Sequence, residues 1–294
     1  MLKYIKLVRV PQWIKNLFVF VPLLFSQHIF NKEYLLPALV AFFMFCLVSS
    51  IVYIFNDIVD IEADRAHPTK KDRPLPAGTI SMRNAVITII ILAVLVALFL
   101  PALNFKFKIF LLSYFLLNIF YTFVFKHIVL LDIFSIAAGF MLRVIAGAYV
   151  ISVEVSSWLI LTTMFISIFL GVMKRRSEIV LINDESNKNT RKVLASYSLN
   201  FIDQMSTIAA AGVIICYALY TVAERTTKLF STDKMIYTTP FVVFGIFRYM
   251  FLVYMNKKGE NTVEIMLTDI PMIINVMLYI AAIIFIIYRY RFYL

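Results

Sequence analysis

Apolar runs of about twenty residues recur along the whole chain, the length an α-helix needs to cross a membrane. They predict spans at about residues 14–31, 35–55, 84–101, 107–125, 129–150, 157–175, 200–222, 237–255 and 270–289. The expected fold is therefore all-α, a polytopic membrane bundle of about nine transmembrane helices. No Gly/Ser linker or shift in composition divides the 294 residues, so residues 1–294 read as one transmembrane domain. Lys3, Lys6 and Arg9 precede the first run in the manner of a signal peptide. No small-residue cleavage site follows, and the run is read as a retained first helix.

The polar stretches between the runs set the topology. With the N-terminus in the cytoplasm, 18 of the 28 Lys and Arg fall on inside segments and 8 on outside segments; Arg143 and Arg248 stay within spans. The bias predicts N-terminus in and C-terminus out. It also puts three polar landmarks on the cytoplasmic side: residues 56–78, 174–203 and 256–264.

The first landmark reads NDIVDIEADRAHPTKKDRPLPAG. Asp57, Asp60 and Asp64 lie at i, i+3 and i+7, positions that share a face of an unbroken helix, with Asn56 at its edge. Three carboxylates on one face repel one another, and a divalent cation removes that cost. Mg²⁺ suits hard oxygen ligands and shares them with substrate phosphates. Arg65, Lys70, Lys71 and Arg73 follow and can hold phosphate oxygens. The stretch reads as a site for a metal-bound diphosphate at a helix end. The alternative is a solvated charged loop that anchors the helix.

Composition then narrows the class. The chain is 62% hydrophobic, with 28 Phe and 16 Tyr, and its mean hydropathy is +0.88. A net charge of +11 would suggest nucleic acid in a soluble protein. Here it reflects basic loops facing anionic lipids, and no nucleic-acid motif is present. Cys46 and Cys216 lie inside apolar runs without ligand spacing and read as small buried hydrophobes. His28 and His67 have no ligand spacing. There is no P-loop, no GxGxxG and no Ser-His-Asp or Cys-His arrangement. Residues 183–192 read as a mobile loop.

Charges inside spans are costly and few. Asp132 and Arg143 share a helix face, and Arg143 is expected to meet either a phosphate or a carboxylate of a neighbouring helix. Arg248 is expected to snorkel to the headgroups. Lys174, Arg175, Arg176 and Glu178 begin at a helix end and read either as an anchor or as an anion-binding cluster facing the aspartates. A transporter would show inverted repeats and Gly/Pro-broken helices, and no such pairing is seen.

N-D-x-x-D-x-x-x-D at Asn56, Asp57, Asp60 and Asp64, within about nine spans, resembles the UbiA superfamily of intramembrane prenyltransferases. The His67-Pro68-x-Lys70 and Arg73-Pro74 features resemble its decaprenyl-phosphate phosphoribosyltransferase branch. So do Arg9, Pro11, Gln12, Trp13, Lys15 and Asn16, with the proline one place late, and Lys174-Arg175-Arg176-x-Glu178, Tyr197 and Thr239–Tyr249. The resemblance implies a single UbiA-like domain and an Mg²⁺-dependent transferase of the cytoplasmic (inner) membrane, its site facing the cytoplasm. It would move 5-phosphoribose from 5-phosphoribosyl 1-diphosphate to a polyprenyl phosphate. Asp57, Asp60 and Asp64 would hold the metal and, with Lys174, act in catalysis. Lys15, Asn56, Lys70, Arg73, Arg143, Arg175, Glu178 and Tyr197 would bind substrate. The expected partners are the polyprenyl phosphate, the phosphorylated sugar donor and membrane lipids, with oligomeric state open. The second aspartate motif of aromatic prenyltransferases, D-x-x-x-D, is missing: Asp184 and Glu185 lack that spacing. A prenyl diphosphate donor with an aromatic acceptor is the alternative.

Overall fold

The computed structural model describes residues 2–66, 70–184, 194, 196–255 and 268–288, and among these every regular element is a helix. α1 (Leu2–Val8) leads into a 3₁₀ helix, Val10–Phe20, and α2 (Val21–Leu24). There follow α3 (Lys32–Val59), α4 (Ile61–Arg65), α5 (Met82–Phe99), α6 (Phe105–Phe123), α7 (Leu131–Val150) and α8 (Ser157–Asp184). The rest are α9 (Leu199–Val222), α10 (Glu224–Phe230), α11 (Thr239–Met255) and α12 (Ile270–Tyr288).

Eight helical segments are long and apolar enough to cross a membrane, close to the nine expected. Polar caps fix where four of them begin. The side chains of Asn31, Ser81, Asn104 and Ser198 accept hydrogen bonds from Glu33, Asn84, Phe107 and Phe201 backbone N–H groups, satisfying donors that the first helical turn leaves over. α7 is the most enclosed span, and α5 the least. Ile90, Ile91, Val94 and Leu98 on α5 remain exposed, as expected of a helix facing lipid.

The first expected span, 14–31, takes another form. The apolar helix here is Val10–Leu24, and eleven of its residues are 3₁₀. At about 2.0 Å per residue the 3₁₀ part covers about 22 Å. With α2 the segment approaches the thickness of a bilayer core using fewer residues than an α-helix needs. Three residues per turn also sort its side chains. Trp13, Asn16 and Val19 fall on one face: Trp13 Nε1 donates to Ser50 Oγ at 3.0 Å, and Asn16 Nδ2 to Ser49 Oγ at 3.2 Å. Val19 meets α7 at Gly147, where an added Cβ would lie 2.1 Å from the Val19 carbonyl oxygen. Gly147→Ala must therefore force the two backbones apart. The expected cost is about 1–3 kcal/mol, read as a lower melting temperature in nanodiscs; an unchanged transition would refute the contact.

Helices alternate in direction, so two bundle ends form. One gathers the C-termini of α3, α6 and α8 with the N-termini of α7 and α9. Arg9 belongs to this end, through Asp57. At the other end Asn104 Nδ2 donates to the Tyr149 carbonyl at 2.7 Å, and the Ile29 N–H donates to Tyr288 Oη at 3.2 Å. Cys46 and Cys216 are buried free thiols, as expected.

Candidate active site

α3 delivers Asn56 and Asp57 to the first of these ends. The helix then breaks at Asp60 (φ −96°, ψ 11°) and resumes as α4. The break corrects the picture of three aspartates on one continuous face. Asp57 and Asp64, both buried, converge on Arg73, whose Nη1 lies 3.1 Å from Asp57 Oδ1 and 2.6 Å from Asp64 Oδ2. Arg9, in the left-handed region at φ 56°, also donates to Asp57 Oδ1. Asp60 turns away to Lys126, whose Nζ stands 2.7 Å and 3.0 Å from its two oxygens.

Local sequence explains how Arg73 arrives. Lys70–Asp72 form a 3₁₀ turn, and the Arg73 N–H donates to the Lys70 carbonyl at 3.0 Å. The chain then reverses through Gly78 at φ 69°, a conformation that costs glycine little. Burial, with the Arg9 charge beside it, lowers the proton affinity of the Arg73 guanidinium, and Asp57 and Asp64 oppose that shift. Two guanidiniums thus repel one another across a shared oxygen.

Among the described residues no three Asp, Glu, His or Cys side chains form a ready metal cage. Arg73 stands between Asp57 and Asp64, and Asp60 is held by Lys126. The donor chemistry nevertheless fits a hard cation. Asn56 Oδ1, next in sequence to Asp57, is buried without a hydrogen-bond partner, and buried polar atoms seldom stay so. Mg²⁺ takes one or two carboxylates and completes its shell with waters and substrate phosphates.

A second group of charges lies within the bundle. Lys15, Arg143 and Lys174 line one cavity of about 210 Å³, together with Tyr53, Tyr114, Tyr121 and apolar side chains; no carboxylate is among its lining residues. Arg143 does not pair with a carboxylate of a neighbouring helix among the described residues. It is buried, and its guanidinium donates to Asn16 Oδ1 (2.7 Å), the Gly139 carbonyl (2.8 Å) and Tyr114 Oη (2.8 Å), all neutral. Lys15 and Lys174 make no hydrogen bond or ion pair among the described residues, although the Glu178 carboxylate acts on the Lys174 charge from beyond ion-pair distance.

Arg175, Glu178 and Tyr197, expected to bind substrate, belong to one network joined through Asp132. Arg175 is fully buried. It donates to Asp132 Oδ2 at 2.6 Å, to Tyr121 Oη at 3.1 Å and to Glu178 Oε2. Tyr197 Oη donates to Asp132 Oδ1 at 2.7 Å and accepts the Leu130 N–H at 2.6 Å. Burial above all holds the Tyr197 phenol well above its usual pKa, so it stays a neutral donor. Through Leu130, which has φ 70°, the network grips the turn that carries Lys126.

The other singled-out charges separate. Arg176 pairs with Asp203 at 2.8 Å and lies 3.7 Å from the Tyr254 ring centroid, so it does not face the aspartates. Arg248, expected to snorkel, makes two hydrogen bonds to Asp269, of 3.0 Å and 2.9 Å. Arg65 pairs with Glu62 in the open. His67, Pro68 and residues 185–192 lie outside the described residues, as do the side chains of 181–184. Sequence reasoning missed Lys126 and Tyr114 as parts of the site. Lys126 follows a predicted span like any positive-inside residue, and nothing local ties it to Asp60, 66 positions away.

Comparison with known proteins bears on the fold and the family. The decaprenyl-phosphate phosphoribosyltransferase of Mycolicibacterium smegmatis is 35% identical over 234 residues, 78% of this chain and 73% of that protein. Its namesake from Corynebacterium glutamicum is 34% identical over 220 residues, 74% of this chain and 66% of that protein. In fold, the chain is similar to a UbiA homologue from Archaeoglobus fulgidus bound to GPP and Mg²⁺, with a TM-score of 0.69 at 19% identity over 97% of this chain and 99% of that one. The same homologue bound to Cd²⁺ gives 0.67. The profile of the UbiA prenyltransferase family matches residues 17–267, and the chain is an integral-membrane transferase that belongs to this family.

Proposed function

We propose that the protein transfers 5-phosphoribose from 5-phosphoribosyl 1-diphosphate to a decaprenyl-type polyprenyl phosphate, releasing diphosphate. The observation that carries a metal-bound diphosphate donor is the convergence of Asp57 and Asp64 on Arg73, with Asn56 Oδ1 unpartnered next in sequence to Asp57; the phosphoribosyl identity of that donor rests on the named relatives. Asp57, Asp64 and Asn56 would hold Mg²⁺, which neutralises charge gathering on the leaving diphosphate. Asp60, paired with Lys126, fixes the neighbouring turn rather than serving as a third ligand.

An acceptor phosphate oxygen attacks C1 of the ribose, and the bond from C1 to the diphosphate breaks with its electron pair leaving on the diphosphate. The acceptor is already an anion, so no strong general base is required. Arg9 and Arg73 supply cationic donors for diphosphate oxygens. The chain's main work is to bring two repelling anions into line. The deciding experiment incubates purified protein and Mg²⁺ with polyprenyl phosphate and either 5-phosphoribosyl 1-diphosphate or a prenyl diphosphate. A lipid product heavier by one phosphoribosyl group is expected; consumption of the prenyl diphosphate alone would favour the aromatic-acceptor reading.

The aspartate end should face the cytoplasm. Asp72 and Asp233 are both exposed, the second beside the opposite bundle end. Asp72→Cys should react with impermeant maleimide only in inverted vesicles, and Asp233→Cys only in right-side-out ones. The two native cysteines are buried and should stay silent. Reversed labelling would overturn the orientation.

A further inference from the structure

We propose that a pocket at the bundle end opposite the aspartates holds one zwitterionic phospholipid, through the phosphate and the primary ammonium of its headgroup. The pocket, of about 750 Å³, lies between the end of α2, the connection from α7 to α8, the last turn of α9, and α10. Small-molecule sites measure roughly 300–1,000 Å³. It shares no lining residue with the Lys15 cavity, and its assignment is independent of the group transferred at the other end. Two buried hydroxyls mark it as a polar site. Tyr220 is 3% and Thr226 2% exposed, both line the pocket, and neither hydroxyl makes a hydrogen bond among the described residues. Buried hydroxyls seldom stay unpaired, so acceptor oxygens of a ligand suit this wall.

The rim chooses the kind of ligand, because it carries both signs of charge. Glu154 and Arg225 meet at 2.8 Å across 71 positions of chain, and Glu224 and Lys228 meet at 2.6 Å within α10. All four side chains are exposed. Exposed pairs are worth about 0–1 kcal/mol, so each charge can change partners at little cost. The Arg225 charge also acts on the Tyr220 phenol, and a phosphate beside Arg225 can accept from both. Glu154 then takes the ammonium. A simple anion would be repelled by Glu154 and Glu224, whereas a zwitterion matches both signs. A primary ammonium brings three N–H donors to the carboxylates; a trimethylammonium brings none. Beneath the charges, Phe25 and Leu159 are buried and apolar, at the ends of segments that run through the membrane. The first carbons of acyl chains fit that floor, and a soluble zwitterion has nothing to place there.

The test uses the full chain in detergent, titrated with phosphatidylethanolamine, phosphatidylcholine or phosphatidylglycerol of identical acyl chains and followed by native mass spectrometry. Wild type should retain one phosphatidylethanolamine at least about ten-fold more tightly than either of the others. Soluble phosphoethanolamine should compete only weakly. Tyr220→Phe and Arg225→Gln should each weaken phosphatidylethanolamine by about ten-fold or more. Glu154→Gln should leave the melting temperature of the lipid-free protein unchanged and bring phosphatidylethanolamine close to phosphatidylcholine. The proposal falls if phosphatidylcholine or phosphatidylglycerol binds wild type as tightly, since the pocket would then take any lipid of the surrounding bilayer. It falls if phosphoethanolamine binds as tightly, since no tail would be in use. It falls too if Tyr220→Phe and Arg225→Gln bind like wild type. Should Tyr220→Phe fail to fold, Arg225→Gln and Glu154→Gln, both at exposed positions, decide the matter.

Discussion

Asp57→Asn is expected to lower turnover by about a thousand-fold while the bundle stays folded. Asp57 is 2% exposed and is shared by Arg9 and Arg73. The amide keeps the shape but removes the charge that would hold the metal and that keeps two guanidiniums together. Losing metal stabilisation of a leaving group is worth several kcal/mol, and about 4 kcal/mol corresponds to three decades in rate. Mn²⁺ binding, followed by electron paramagnetic resonance, should be lost in parallel. Asp60→Asn should cost about ten-fold or less, because its carboxylate is turned to Lys126. Equal losses at the two positions, or near-normal activity of Asp57→Asn at limiting Mg²⁺, would remove the metal assignment.

The largest effect on stability is expected at Asp132. Its side chain is fully buried, accepting from Arg175 Nε at 2.6 Å and from Tyr197 Oη at 2.7 Å. Among the described residues, Asp132→Ala leaves the Arg175 guanidinium with Glu178 as its only carboxylate and leaves the Tyr197 hydroxyl without an acceptor. Breaking one side of a buried ion pair costs about 3–5 kcal/mol. Unfolding in nanodiscs should shift by that amount. Removing both charges, as Asp132→Leu with Arg175→Met, should recover much of it, because the uncompensated buried charge is gone. A double variant no better than Asp132→Ala would show that packing, not charge, dominates there.

The parts of this molecule that a reader of the sequence could see were those written in runs. Span positions follow from twenty-residue apolar stretches, and α3, α5–α9, α11 and α12 appear where those stretches lie. The aspartates also announced themselves, because three carboxylates beside apolar sequence have few structural uses. What stayed hidden depended on residues far apart in the chain. Lys126 reaches Asp60, Tyr197 reaches Leu130, and Arg143 finds Asn16 across 127 positions. Asp60 misled because helical spacing assumes an unbroken helix, whereas the chain kinks at that residue. Arg175 looked like a free cation because its partner Asp132 lies on another span. The first crossing misled for a different reason: a hydropathy window measures how apolar a segment is, not how tightly its backbone winds.

That winding constrains how the protein can change. In Val10–Phe20 three residues complete a turn, so Trp13, Asn16 and Val19 sit on α3 and α7 while Lys15 and Phe18 face the cavity. Inserting one residue between Arg9 and Trp13 would turn everything after it by about 120°. The asparagine that steadies Arg143 would swing off its partners, and Lys15 would leave the cavity. Three inserted residues would restore the facing but push the segment about 6 Å further along its axis, away from the glycine that lets it approach. The segment thus behaves like a key cut to one length: side chains along it can be exchanged one at a time, but its number of residues is fixed by the lock on either side.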